Sequence, residues 1–212
     1  GGSRRQTTDG HSNSLIGYYR YLTEQNIPVD FIHRKDLESG DLSQYKLIIV
    51  PYALMFNKKA ADGLKAFIQK GGYAYSEARF AWNDEHGNTS DVIPGLGLSE
   101  VFGVRETKVQ TLKEVKMQVL DNSQPPMQYL KKDDSLTGSL FAESLEPLHN
   151  AKVLATLDDG SAAIVTSTYG NGHTMYVGSF LAMANSRGSL WDQSTERIVV
   201  QVCTNGIPND FL

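Results

Sequence analysis

Residues 45–77 read YKLIIVPYALMFNKKAADGLKAFIQKGGYAYSE. Leu47-Ile48-Ile49-Val50 is an unbroken apolar run, the pattern of a strand buried on both faces. Behind Asn57, an N-cap residue by type, Ala60, Ala61, Leu64, Phe67 and Ile68 recur at helical spacing and lay an apolar stripe along one side. Gly71-Gly72 ends that helix, and Tyr73-Ala74-Tyr75 opens a second strand. Strand, helix and strand over about thirty residues make a βαβ unit, which joins parallel strands with a right-handed crossover. The carboxyl end of such a strand is where α/β proteins gather their chemistry. Ser76, Glu77 and the residues after them are therefore the first place to look.

Upstream, residues 1–12 show no periodicity and read as a flexible tag or linker. Leu15, Tyr18, Tyr19 and Leu22 mark a helical face, with Ser12 or Ser14 as N-cap. Pro28 blocks that helix, and Val29, Phe31 and His33 alternate as a short strand. Asp36, Glu38, Gly40 and Asp41 form a polar connection into the βαβ unit. Nothing strand-like precedes Leu15, so the first strand expected of a doubly wound sheet is placed upstream of this chain.

Downstream, Ala78 to Pro94 is a long polar connection, of a length that in a compact domain is often functional. A short helix, Leu98 to Phe102, stops at Gly103. Val109, Leu112, Val115, Met117 and Val119 then predict extended structure, and residues 121–134, with Pro125-Pro126, a loop. Strands are expected at Val153 to Leu157, Ala162 to Tyr169 and Thr174 to Val177, around turns at Asp158-Asp159-Gly160 and Gly170-Asn171-Gly172. A last helix begins near Ser189, with Ile198, Val199 and Val202 on its apolar face. The expected architecture is one α/β domain over residues 13–206 and a tail at 207–212. Its sheet is read as doubly wound and mostly parallel, with an antiparallel β extension.

The 212 residues suffice for one sizeable core, and a net charge of −4 with 21% charged residues leaves no basic surface for nucleic acid. No apolar run approaches the ~20 residues of a membrane-spanning helix, so no membrane partner is expected. The lone Cys203 excludes an internal disulfide and a cysteine metal cluster, and leaves the compartment open. His11, His33, His86, His149 and His173 show no paired metal-ligand spacing. Gly95-Leu96-Gly97 lacks the third glycine of a phosphate cradle. No metal and no cofactor are expected.

A nucleophile at the strand end would need Ser76, but Tyr75-Ser76-Glu77-Ala78 has none of the glycines of a strained elbow. Glu77, Asp84 and Glu85 lie near Trp82 and His86, a mixture of acids and indole that suits a sugar. Adjacent acids in a polar loop are also simply solvated, and contact suits this loop better than catalysis. Tyr18, Tyr19 and Tyr21 cannot all face one core, which makes part of the first helix an interface candidate or leaves hydroxyls reaching solvent.

YYRYLTEQNIPVDFIHRKDL, with YKLIIVPYALMFNKKAADGLKAFIQKGGYAYSEAR after it, resembles the trimerisation (middle) domain of family 42 β-galactosidases. Pro94 to Val104 and Ala162 to Gly178, with its Tyr169-Gly170-Asn171-Gly172 turn, agree. The likeness covers most of residues 15–205. It implies a class I glutamine-amidotransferase-like (flavodoxin-like) fold, a non-catalytic module that packs trimers and walls the neighbouring active site, and catalytic glutamates in a TIM barrel absent here. Amidotransferase relatives carry a cysteine at the strand end, where this chain has Ser76-Glu77.

The expected partners are therefore copies of this chain and the parent's catalytic barrel. Glu77, Arg79, Trp82, Tyr18 and Tyr19 are the candidate substrate-wall or interface residues, and no residue is assigned a catalytic role. Two alternatives stay open: an autonomous amidotransferase-like hydrolase using Ser76 or Glu77 with a loop histidine, and a sugar-binding regulatory module centred on Trp82.

Overall fold

The computed structural model describes residues 14–20, 22–24, 26–124, 127–128 and 130–181. The elements in order are α1 (helical at 14–20 and 22–24), α2 (Arg34–Ser39), β1 (Leu47–Val50), α3 (Lys58–Gln69), β2 (Tyr73–Glu77), α4 (Leu98–Phe102), β3 (Val104–Val119), β4 (Ser135–Pro147), β5 (Lys152–Thr156), β6 (Ala162–Tyr169) and β7 (Gly172–Val177). The βαβ unit forms where its pattern placed it. The Asn57 Oδ1 accepts the Ala60 N–H at 2.7 Å and starts α3. Ala60, Ala61, Leu64, Phe67 and Ile68 are the buried face.

All seven strands join one sheet in the order β1-β2-β7-β6-β4-β3-β5, and an added β5–β6 pairing curls the last four into a small barrel-like closure. Side-chain alternation along the strands splits the core into two layers. Tyr75, Met175 and Val177 lie with Tyr18 and Leu22 of α1 on one face. Ala74 and Tyr176 lie with Leu37, Leu64, Ile68, Val101 and Phe102 of α2, α3 and α4 on the other. Gly172 lets β7 pass beneath α3, since a Cβ there would sit 2.0 Å from the Ile68 carbonyl oxygen.

Three expectations are corrected. The sheet is not mostly parallel: β1–β2 and β2–β7 pair parallel, and the five remaining pairings are antiparallel. Only the βαβ crossover and the return to β7 bring strands in the same direction, whereas β3 returns directly to β4, β5 to β6 and β6 to β7, which makes each of these pairs antiparallel. Val29, Phe31 and His33 form no strand, although Ile27 and Val29 pack on the core. Alternation alone does not supply a ladder partner, and Pro28 has no N–H to give one. The polar connection after them contains a helix, α2, whose start is fixed by the His33 N–H donating to Asp36 Oδ2 at 3.1 Å and whose end is fixed by Gly40 at φ 72°. The helix expected from Ser189, residues 1–12 and the tail lie outside the described residues.

Leu64 is 0% exposed at the centre of the α3 face. Leu64→Ala is expected to cost about 3 kcal/mol in urea denaturation, while Lys59→Ala on the exposed face changes stability by less than about 0.5 kcal/mol.

Candidate functional site

At the carboxyl end of β2 the backbone leaves the sheet through an unusual path. Arg79 and Ala81 both adopt positive φ, 55° and 53°, and Tyr52 after β1 does the same at 50°. Such conformations cost non-glycine residues about 1–3 kcal/mol and persist only where neighbours hold them. Here they are held by the Ala81 N–H on the Ala53 carbonyl at 2.8 Å, by Asn83 N–H on Leu54 O at 2.9 Å, and by Phe56 N–H on Asn83 O at 3.0 Å. The loop after β2 is thereby sewn to the loop after β1, and Trp82 is set between these bonds.

Two glutamates organise this end, one beneath each face. Glu77 is 1% exposed. It accepts from the Tyr18 hydroxyl at 2.6 Å, the Ser14 hydroxyl at 3.1 Å and the Leu181 N–H at 2.9 Å. The Tyr18 and Tyr75 hydroxyls are 2.7 Å apart in the same network. Burial, and then the adjacent Glu77 charge, push the Tyr18 phenol well above its usual pKa. Glu77 and Tyr18 therefore tie α1 to the sheet from inside, and neither offers a surface to a neighbour. Of the tyrosines on α1, Tyr19 faces out, 43% exposed and stacked on Phe31 with ring centroids 5.1 Å apart. Tyr21 lies outside the described residues.

Glu143 of β4 is 0% exposed on the other side. It accepts the Arg79 N–H at 3.0 Å and the Tyr176 hydroxyl at 3.0 Å. Burial first, and a hydrogen bond with Glu106 second, raise its carboxyl well above the usual carboxylate value. The Arg79 guanidinium pairs with Glu106 of β3: Nε lies 3.1 Å from Oε2, off the line of a hydrogen bond, and an N–H of the other terminus reaches Oε1 at 3.2 Å. The same guanidinium lies 3.8 Å above the centre of the Trp82 ring and 5.7 Å from that of Phe141. Arg79, Glu106, Glu143, Tyr176 and Trp82 thus form one connected cluster.

The other sequence candidates scatter. Ser76 is buried and its hydroxyl donates to the Val50 carbonyl at 3.1 Å, with no histidine bonded to it among the described residues. His86 lies on the exposed loop, 4.0 Å from Glu85. Asp84 accepts the His86 and Asn88 N–H groups at 2.8 Å each and serves as a turn former. His173 tilts against Tyr73, and no group of His, Cys, Asp and Glu among the described residues is placed to hold a metal. Sequence reasoning missed Glu106, Glu143 and Tyr176. The two glutamates sit inside strands that otherwise read as extended structure, and an acid in a buried strand was the signal available.

Comparison with known proteins bears on what this end of the sheet serves. A family model described as the β-galactosidase trimerisation domain matches residues 3–199. The chain belongs to that family. The β-galactosidase BgaB of a Geobacillus species is 26% identical over 189 residues, covering 83% of this chain and 25% of its own length. The β-galactosidase LacA of Lactobacillus acidophilus is 29% identical over 181 residues, covering 80% and 24%. The crystal structure of the Bacillus circulans sp. alkalophilus β-galactosidase superposes with a TM-score of 0.75 at 22% identity, over 92% of this chain and 27% of that one. The trimerisation domain here therefore spans about a quarter of the length of these relatives. Its mixed sheet with antiparallel strands and a barrel-like closure is the fold it shares with the Bacillus circulans structure.

A pH dependence follows from Glu143. Its folded pKa is raised above the ordinary value of 4.5, so the stability it contributes is full below that value. That stability falls as pH climbs from there through the raised folded pKa. Glu143→Gln keeps an acceptor for Tyr176 and the Arg79 N–H, gains donors for Glu106 and cannot ionise. It is expected to leave stability at pH 4 nearly unchanged and to raise it at pH 8, read by urea denaturation at both pH values.

Proposed function

We propose that this chain is the assembly module of a β-galactosidase-like glycoside hydrolase, with the catalytic TIM barrel elsewhere in the parent protein. The observation that carries this reading is the family match over residues 3–199. The strand end supports it: Ser76 is bonded to Val50 and Glu77 to three donors, so neither is poised as a nucleophile beside a base. In this reading the module joins copies of itself and packs against the barrel. Its contacts come from two places. Ile16, Tyr19 and Phe31, 58%, 43% and 50% exposed, offer an apolar surface on and beside α1. Trp82, with Arg79 over it, is the substrate-wall candidate.

The sheet is also read as an amidotransferase-like one. The helices on both faces and the parallel β1-β2-β7 core support this.

The purified chain is expected to sediment as an oligomer and to leave a chromogenic galactoside intact. Tyr19→Asp combined with Ile16→Asp is expected to shift it to monomer while the thermal midpoint moves by only a few degrees. A monomeric parent chain at tens of micromolar would refute the assembly role. Galactoside hydrolysis that Glu77→Gln abolishes would establish the hydrolase alternative instead.

A further inference from the structure

The cluster under Trp82 contains more than is needed to close a loop. We propose that Glu106 is the positioning residue of this site, holding the Trp82 indole through Arg79 as a flat platform for the apolar face of a sugar ring. The inference rests on the substrate-wall reading of Trp82 and adds the residue that makes the wall rigid.

An arginine stacked on a partly exposed indole is mobile unless its fork is held elsewhere. Here it is held at both ends. Glu143 takes the Arg79 backbone N–H at 3.0 Å and Glu106 takes the guanidinium at 3.1 Å. The Arg79 and Glu106 side chains are 13% and 12% exposed, so the pair is far less screened by salt than a surface bridge. Tyr176, bonded to Glu143 at 3.0 Å and 3.4 Å from the Phe80 N–H, braces the cluster from β7.

The strand register favours this arrangement specifically. Along the β3–β4 ladder Glu106 pairs with Leu145, but after a bulge Lys108 pairs with Ser144 and Val109 with Glu143. In an unbroken ladder Lys108 would stand opposite Glu143. The extra residue, Thr107, has its hydroxyl on the Ser144 carbonyl at 3.0 Å, and Lys108 is turned to the opposite face. Bulges re-aim side chains next to sites; this one withdraws a lysine and leaves the Arg79 guanidinium as the cation on Glu106. With the guanidinium over one face of the indole at 3.8 Å, a ligand must use the part that remains exposed. Flat, apolar and fixed, such a surface stacks on the C–H face of a pyranose.

The test labels the chain with 5-fluorotryptophan, so that its two tryptophans give two fluorine resonances, assigned through Trp82→Phe. Glu106→Gln is expected to move and broaden the Trp82 resonance and raise its solvent accessibility about two-fold, leaving Trp191 unmoved. Arg79→Lys, which keeps the charge but not the planar face, is expected to do the same. It serves as the second variant if Glu106→Gln does not fold. A Trp82 resonance unchanged in a folded Glu106→Gln or Arg79→Lys chain would overturn the positioning role. Saturation-transfer NMR with galactose reads the underlying site separately. Signal lost in Trp82→Ala and weakened in Glu106→Gln supports both. Signal absent, or unaffected by Trp82→Ala, overturns the sugar-platform reading even where the resonance shift shows that the clamp exists.

Discussion

Strand β7 has to satisfy two ladders of opposite sense. It pairs parallel with β2 from Tyr73↔His173 to Glu77↔Val177 and antiparallel with β6 from Tyr169↔Gly172 to Ile164↔Val177. Every part of the domain depends on that seam, because it is where the βαβ unit and the curled antiparallel strands become one sheet. The seam is buried on both faces, with Met175, Tyr176 and Val177 each 0% exposed. Backbone polar groups there have no water to turn to, so any slip in register would leave them unpaired at considerable cost.

The same seam places the polar clusters. Tyr176 reaches from β7 to Glu143 on β4, and Glu143 reaches to the Arg79 N–H just past β2. Glu77, at the end of β2, ties back to α1 and to the Leu181 N–H beyond β7. Both glutamates are almost fully buried, and both are surrounded by donors. A buried carboxyl left with fewer partners is strongly destabilising, whereas one fully bonded fixes a unique geometry. The positive-φ path through Arg79 and Ala81 is kept in place by such bonds. It brings Trp82 under Arg79, where the loop meets the outside of the domain.

Much of this was legible beforehand. The spans of β1, α3, β2 and α4 followed from local patterns: an unbroken apolar run, a 3.6-residue stripe behind Asn57, and glycine stops. The antiparallel strands β5, β6 and β7 followed from their turns. Where the pattern misled, it did so for physical reasons. Val29, Phe31 and His33 alternate as a strand does, yet a strand exists only with a partner at its edge. Helix α2 has six residues and a single buried one, Leu37, too little for periodicity to register. The predominance of antiparallel pairing depends on which strands meet, and alternation is the same in either sense.

The residues near Trp82 divide in the same way. Glu77, Arg79 and Trp82 were named because they follow a buried strand, a purely sequential criterion. Glu77 proved to face the core because its β2 side chain points to the α1 face. Glu106 and Glu143 come from the paired strands β3 and β4, far along the chain from Trp82 in the case of Glu143, and their meeting depends on a ladder with a bulge at Thr107. By itself, then, the sequence determined most of the local elements, the family and the strand end to inspect, since these rest on short-range periodicity and ordered motifs. The tertiary structure alone decided which acid pairs with which base, because register and bulge bring together side chains that no spacing along the chain relates.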